Sequence, residues 1–192
     1  MAGLQISPFF DIIYALDPRG AGEFGSILTL VSENSLIASV FVPNAVSYTS
    51  PDINGFQTAG LYALGGVAGS FQTGRAWSVT GKYTSGTLLA GAAYISANNA
   101  ADSALASISS LYPINVRAYT AGVTYKFGGL TAKAAFANFK ANSVPVSVDP
   151  ALAYSTNTSA NIYSSGVDYF ALPYLDLTAG VCYQQAFRRS VR

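Results

Sequence analysis

The chain has 192 residues, ten basic and nine acidic side chains, one cysteine and no histidine. Charged residues make up 10% of it and hydrophobic ones 51%, a balance that excludes disorder and sits far below the roughly 25% charge of an ordinary soluble domain. A net charge of +1 leaves no electrostatic footprint for nucleic acid, a lone Cys182 excludes an internal disulfide and every multi-thiolate metal site, and the missing histidine removes serine triads and most acid–base pairs.

Hydropathy is positive on average, +0.33, yet no stretch approaches the roughly 20 apolar residues of a spanning helix. The apolar windows around Phe9 to Leu16 and Ser35 to Val46 are interrupted by Asp11, Ser39, Pro43 and Asn44. Met1 is followed by a mixed segment, so no secretory leader is expected at this start. The first strong turn signal is Asp52-Ile53-Asn54-Gly55. From residue 75 onward the hydrophobic period is two. Trp77, Val79, Gly81 and Tyr83 alternate with Ser78, Thr80, Lys82 and Thr84, which places one row on each face of a strand.

Further along, Leu88 to Tyr94 follows a Ser85-Gly86 turn, and Tyr119 to Phe127 alternates cleanly before Gly128-Gly129. Leu88 to Tyr94, Leu130 to Phe136 and Tyr163 to Tyr169 follow the period less cleanly, with small residues opposite the apolar row. After the break at Leu172-Pro173, Leu175, Leu177, Ala179, Val181 and Tyr183 oppose Asp176, Thr178, Gly180 and Cys182. Longer polar stretches, Gly65 to Gly74, Ala97 to Asn115 and Ala141 to Asn161, separate these hairpins. A Tyr before the turn recurs at Tyr83, Tyr125 and Tyr169, at spacings of 42 and 44 residues.

Short turns at one end, long loops at the other and aromatics near strand ends describe an all-β, antiparallel, up-and-down transmembrane barrel. Strands of about 9–11 residues are what a tilted membrane strand needs. A soluble β-sandwich also alternates, but it covers its outer face with charges. Here the second face is Ser, Thr, Gly and Ala. If the apolar rows face lipid, then Lys82, Lys126, Lys133, Asp168 and Asp176 face the lumen beside Ser78, Thr80, Thr124 and Gln184, where charges set ion preference. The plainer alternative is that these charges solvate a wide lumen or its rim. The small residues Gly122, Gly166, Gly180 and Ala135 on that face suit a wide pore. Arg75 and Arg117, opening strands after long loops, are placed to meet lipid phosphates or to snorkel at the interface.

The segment PNAVSYTSPDINGFQTAGLYALGGVAGS resembles general porins of Gram-negative outer membranes, especially the beta-proteobacterial type, through Asn44, Val46, Tyr48, Ser50, Pro51, Gly55, Phe56, Leu61 and Tyr62. The hairpins RAWSVTGKYTSGTLLAGAAY and AYTAGVTYKFGGLTAKAAF are similar to that family too, and the resemblance runs from about residue 36 to 185. It implies a trimeric, 16-stranded, water-filled barrel, with outer-membrane lipid around it and small hydrophilic solutes and ions passing through it. It also implies an inward-folded loop with acidic residues facing a basic wall. By position Leu4 to Ser26 corresponds to that loop, which makes Asp11, Asp17 and Glu23 its candidate acids, with Arg19 among them.

The chain departs from the family in having Phe41 where an arginine is usual, Ala45 for a serine, and FRRSVR at its end. We therefore expect one barrel domain over 1–192, with residues 1–35 as the constriction-loop region, 36–186 as hairpins and 187–192 as an atypical basic tail. About 8–10 of the 16 strands of a general porin are expected, as in a partial member of the family. The function implied is passive diffusion across the outer membrane, without catalysis, cofactor or metal. The alternatives are a small closed barrel with a structural or adhesive role and a porin fragment without function. Asn157-Thr158-Ser159 is a formal glycosylation sequon, read as a chance match in a Ser/Thr-rich stretch.

Overall fold

In the computed structural model the described residues form a single antiparallel sheet with one helix packed on it. The structure describes residues 1–18, 26, 40–65, 69, 74–98, 115–143, 155–172 and 175–191. In chain order the elements are β1 (Ala2–Ile6), α1 (Pro8–Leu16), β2 (Phe41–Thr49), β3 (Phe56–Ala63), β4 (Ala76–Ser85), β5 (Leu88–Asn98), β6 (Asn115–Phe127), β7 (Leu130–Ser143), β8 (Ser155–Leu172) and β9 (Leu175–Val191). Each strand pairs with its sequence neighbours, so nine strands lie in the order β1 to β9. The sheet is not closed: β1 and β9 each have one strand neighbour among the described residues. One up-and-down sheet, with no second sheet stacked on it among the described residues, removes the sandwich reading.

Eight strands follow Phe41 and one precedes them, as the hydrophobic period implies. The lengths differ from expectation. β7 runs for 14 residues, β8 for 18 and β9 for 17, well beyond 9–11. Ser155 to Asn161, read as loop from its polar composition, is the start of β8; it pairs with β9 throughout and with β7 from Thr156 on. The segment is Ser, Thr, Asn and Ala throughout, so it lacks the alternation of large apolar and polar residues by which strands are recognised.

The two faces of the sheet differ sharply. One row carries Val79, Tyr119, Val123, Tyr125, Tyr163, Val167, Tyr183 and their neighbours, all exposed. Aromatic pairs band this face at two heights. Towards the tight turns lie Phe56–Tyr83 (4.5 Å between ring centres) and Tyr125–Phe127 (4.4 Å). Towards the long connections lie Trp77–Tyr94 (4.9 Å), Tyr119–Phe136 (5.9 Å) and Phe136–Tyr163 (5.0 Å). Along β6 the bands are about 20 Å apart, from Tyr119 to Tyr125 at roughly 3.3 Å per residue. An apolar band edged by two aromatic girdles is the lipid-facing side of a membrane barrel. The opposite face carries α1 and is called the inner face.

The β2–β3 turn shows how local chemistry sets the register. Asp52 Oδ1 accepts the Gly55 N–H at 2.7 Å, and Asn54 and Gly55 take positive φ values of 54° and 86°. A Cβ on Gly55 would also run into the Thr84 carbonyl oxygen. Gly55→Ala is therefore expected to cost about 2 kcal/mol, from left-handed strain and a clash with an already paired backbone. A denaturant titration of the refolded barrel would measure this, and an unchanged midpoint would contradict it.

Candidate pore constriction

α1 forms where sequence reading expected only an interrupted apolar window. Ser7 precedes it in an extended conformation, Pro8 occupies the first turn with its ready-made φ, and Asp11 favours the positive end of the helix dipole. Phe9, Ile12, Ile13 and Leu16 fall at i, i+3, i+4 and i+7, one apolar stripe. Nine residues do not hold a helix in isolation, so packing must do it. That stripe and Phe10 are buried against Ala93, Ile95, Val116, Ala118, Ala135, Ala137, Phe139 and Ile162 on β5 to β8. Five large side chains at about 2 kcal/mol each give a contribution of about 10 kcal/mol. The Phe9 ring meets Phe139 edge-on at 6.4 Å.

Polar contacts fix the two ends. At the start, the Ser7 N–H donates to the Val40 carbonyl (2.9 Å) and Ser7 Oγ donates to Ser78 Oγ (3.1 Å). At the end, Lys133 Nζ donates to the Asp17 carbonyl oxygen at 3.0 Å and pairs with Asp168 Oδ2 at 3.0 Å. Among the described residues Asp168 Oδ1 is buried without a hydrogen-bond partner, and Lys133 is the cation that pairs with this carboxylate. Two wall glycines admit the inward segment. A Cβ on Gly91 would lie 3.2 Å from Ile12 Cδ1, and one on Gly166 would lie 2.5 Å from Pro18 Cβ.

The expected pore residues therefore separate. Asp11 is on the open side of α1, near Lys82, which is half-buried on the wall. Surrounding protein raises the Asp11 pKa above its ordinary 3.8, and the Lys82 ammonium opposes that rise. Asp17 is fully buried and contributes through its backbone carbonyl to the Lys133 anchor. Lys133 and Asp168 come together. Lys126 and Asp176 are exposed near the tight turns. Arg19 and Glu23 lie outside the described residues. The expected loop limits also shift: Leu4 to Ile6 belong to β1, paired with β2, so the inward segment begins at Ser7. Gly166 and Ala135 do not border an empty wide lumen, because Pro18 and the apolar face of α1 occupy that space. Ser7, Tyr14, Pro18 and Gly91 were not singled out in the sequence. Pro8 with the 9, 12, 13, 16 spacing is the signal that identifies the helix.

An open-edged antiparallel meander with girdled apolar outside and a helix folded against its inside is the geometry on which a comparison with known families bears. The model of the Gram-negative porin family matches residues 1–188. The chain belongs to the Gram-negative porin family. No curated protein matches it significantly. Family membership makes it a member of a channel class of the outer membrane, and it assigns the girdled face of this porin to lipid. Phe41, at the position where the resemblance expects an arginine, is exposed on the register opposite buried Val42. The cations this porin sets towards α1 are Lys82 and Lys133 instead.

Proposed function

We propose that this porin is a passive diffusion channel for small hydrophilic solutes and ions, narrowed by the α1 segment. The observation that carries this reading is α1 itself: a helix fixed to the inner face by its apolar stripe, presenting Asp11 and Tyr14 away from the wall (Tyr14 is 64% exposed). Solutes would pass between that open side and the wall facing it, in the field of Asp11, Lys82 and the Lys133–Asp168 pair. No step of this function requires a covalent bond to form or break. The homotrimer implied by the family resemblance goes with this reading.

The test is single-channel recording on the refolded chain in a planar bilayer, alongside cross-linking of detergent-solubilised protein for the trimer. Discrete, long-lived current steps are expected, and a stably folded barrel without steps would overturn the channel reading in favour of a structural or adhesive one. The Asp11 site adds a pH test. Because its carboxyl is held above the ordinary value, it becomes neutral on acidification at a pH above 3.8. Cation preference, read from reversal potentials in a salt gradient, should fall through that window. Lys82→Gln removes the opposing attraction, so the fall should begin at still higher pH. A profile that Lys82→Gln leaves unmoved would show that Asp11 does not set the selectivity.

A further inference from the structure

The chain contains one Asn-Gly step, Asn54-Gly55, and it forms the tip of the β2–β3 hairpin. Ile53 and Phe56 close that tip with reciprocal backbone hydrogen bonds of 2.9 and 3.0 Å. Asn54 and Gly55 both take positive φ, as a two-residue type I′ turn requires. The Asn54 residue is exposed. In an unfolded chain this dipeptide is chemically unstable, because a glycine nitrogen, with no side chain to shield it, can reach the neighbouring carboxamide carbon. The fold holds the same glycine at both of its backbone groups. Its N–H donates to Asp52 Oδ1 at 2.7 Å, and its carbonyl oxygen accepts the Thr84 N–H of β4 at 2.8 Å.

We propose that Asn54 is a deamidation site that folding closes, with Asp52 as its guard. In the reaction Gly55 N bonds to Asn54 Cγ while the Cγ–Nδ2 bond breaks, and ammonia leaves with the proton of the Gly55 N–H. Water then opens the cyclic imide at either carbonyl, leaving an aspartyl or isoaspartyl residue. Ring closure has to turn the Asn54–Gly55 peptide plane until its nitrogen faces Cγ, and that rotation takes the N–H away from Asp52. It also displaces Gly55, which is tied to β4 through Thr84. The carboxylate at 2.7 Å further disfavours the negative charge that the nitrogen must develop before it attacks. The folded turn therefore reacts only through local opening. An isoaspartyl product adds a methylene to the main chain of a two-residue turn and a second carboxylate beside Asp52, so it weakens the Ile53–Phe56 closure. The chemistry penalises chains that stay unfolded for long.

The test incubates the full chain at one pH and temperature, unfolded in guanidinium chloride in one arm and refolded in detergent in the other. Peptide mapping by mass spectrometry follows ammonia loss and isoaspartate formation at Asn54. With both hydrogen bonds to Gly55 in place, the refolded chain should react about a hundredfold more slowly than the unfolded one. In the folded state Asp52→Ala should give back about tenfold of that protection, the worth of one hydrogen bond to a charged acceptor. Asp52→Asn keeps an acceptor oxygen and should fall between the two. Gly128→Ala strains the β6–β7 turn at a φ of 61° and should leave the Asn54 rate at that of the parent. Equal rates in the folded and unfolded parent overturn the proposal, whether or not any variant folds. A folded Asp52→Ala chain that reacts like the parent also overturns it, and so does an equal acceleration by Gly128→Ala, which would trace the chemistry to general loosening of the sheet.

Discussion

Gly166→Val is expected to enlarge the conducting path and to lower the stability of the barrel. The added Cβ would lie 2.5 Å from Pro18 Cβ, 2.7 Å from the Ala179 carbonyl oxygen and 3.0 Å from Gly180 Cα. The first two are closer than packed Cβ atoms come, and the third is tight enough to need a small shift. Ala179 and Gly180 are held in register by the β8–β9 ladder, whereas Pro18 follows the helix and is not part of a strand. The inward segment is the side that yields, at a cost of about 2–3 kcal/mol for overpacking. Single-channel conductance should rise and become more variable, and the urea midpoint of the refolded protein should fall. Gly81→Val is the matched control, because a Cβ there meets nothing within 4 Å. If Gly166→Val conducts and unfolds as the parent does, the segment is not seated against β8 as described.

Removing the Lys133 ammonium should have a comparable effect by a different physical route. In Lys133→Met the stem is largely kept, but Asp168 loses its one cation partner among the described residues and the Asp17 carbonyl loses a donor. The two side chains are 16% and 14% exposed, so solvent screens this pair less than a surface one. Leaving one such charge unpaired costs about 3 kcal/mol. Lys133→Met/Asp168→Asn should recover much of the loss, since the penalty belongs to the stranded carboxylate more than to the missing contact. A urea titration of both single variants and the double variant measures the coupling. Additive losses would mean that the 3.0 Å pair is structurally idle. A noisier current in Lys133→Met than in the double variant would tie the same pair to the steadiness of α1.

Much of this fold was legible because β4 and β6 keep a strict period of two and end at turns with the right chemistry, Ser85-Gly86 and Gly128-Gly129. The placement of Lys82, Lys133 and Asp168 on one face followed from parity alone. The Lys133–Asp168 pairing did not, because it depends on the β7–β8 register, which sets Lys133 opposite Gly166 and diagonal to Asp168, two residues further along β8. The helix was missed for a related reason. Asp11 looked like an interruption of an apolar run, yet at helical spacing it points away from Phe9, Ile12, Ile13 and Leu16 and interrupts nothing. The meaning of the small inner residues was also hidden. Gly91 and Gly166 signal the close approach of another segment, and nothing in their own strands identifies Ile12 and Pro18 as that segment.

The strand count of the open sheet bears on how it can be sealed. In an antiparallel meander, strands whose numbers share parity point the same way, so β1 and β9 are co-directional. Bringing them together would create a parallel seam, with slanted and slightly weaker bonding than every other joint in the sheet. A second copy placed alongside in the same membrane orientation meets the same obstacle, since its β1 would also run with β9. Hairpins cannot correct this, because each brings two strands and leaves the mismatch as it was. An all-antiparallel wall, the even-numbered arrangement of bacterial single-chain barrels, is reached from these nine only by adding an odd number of strands.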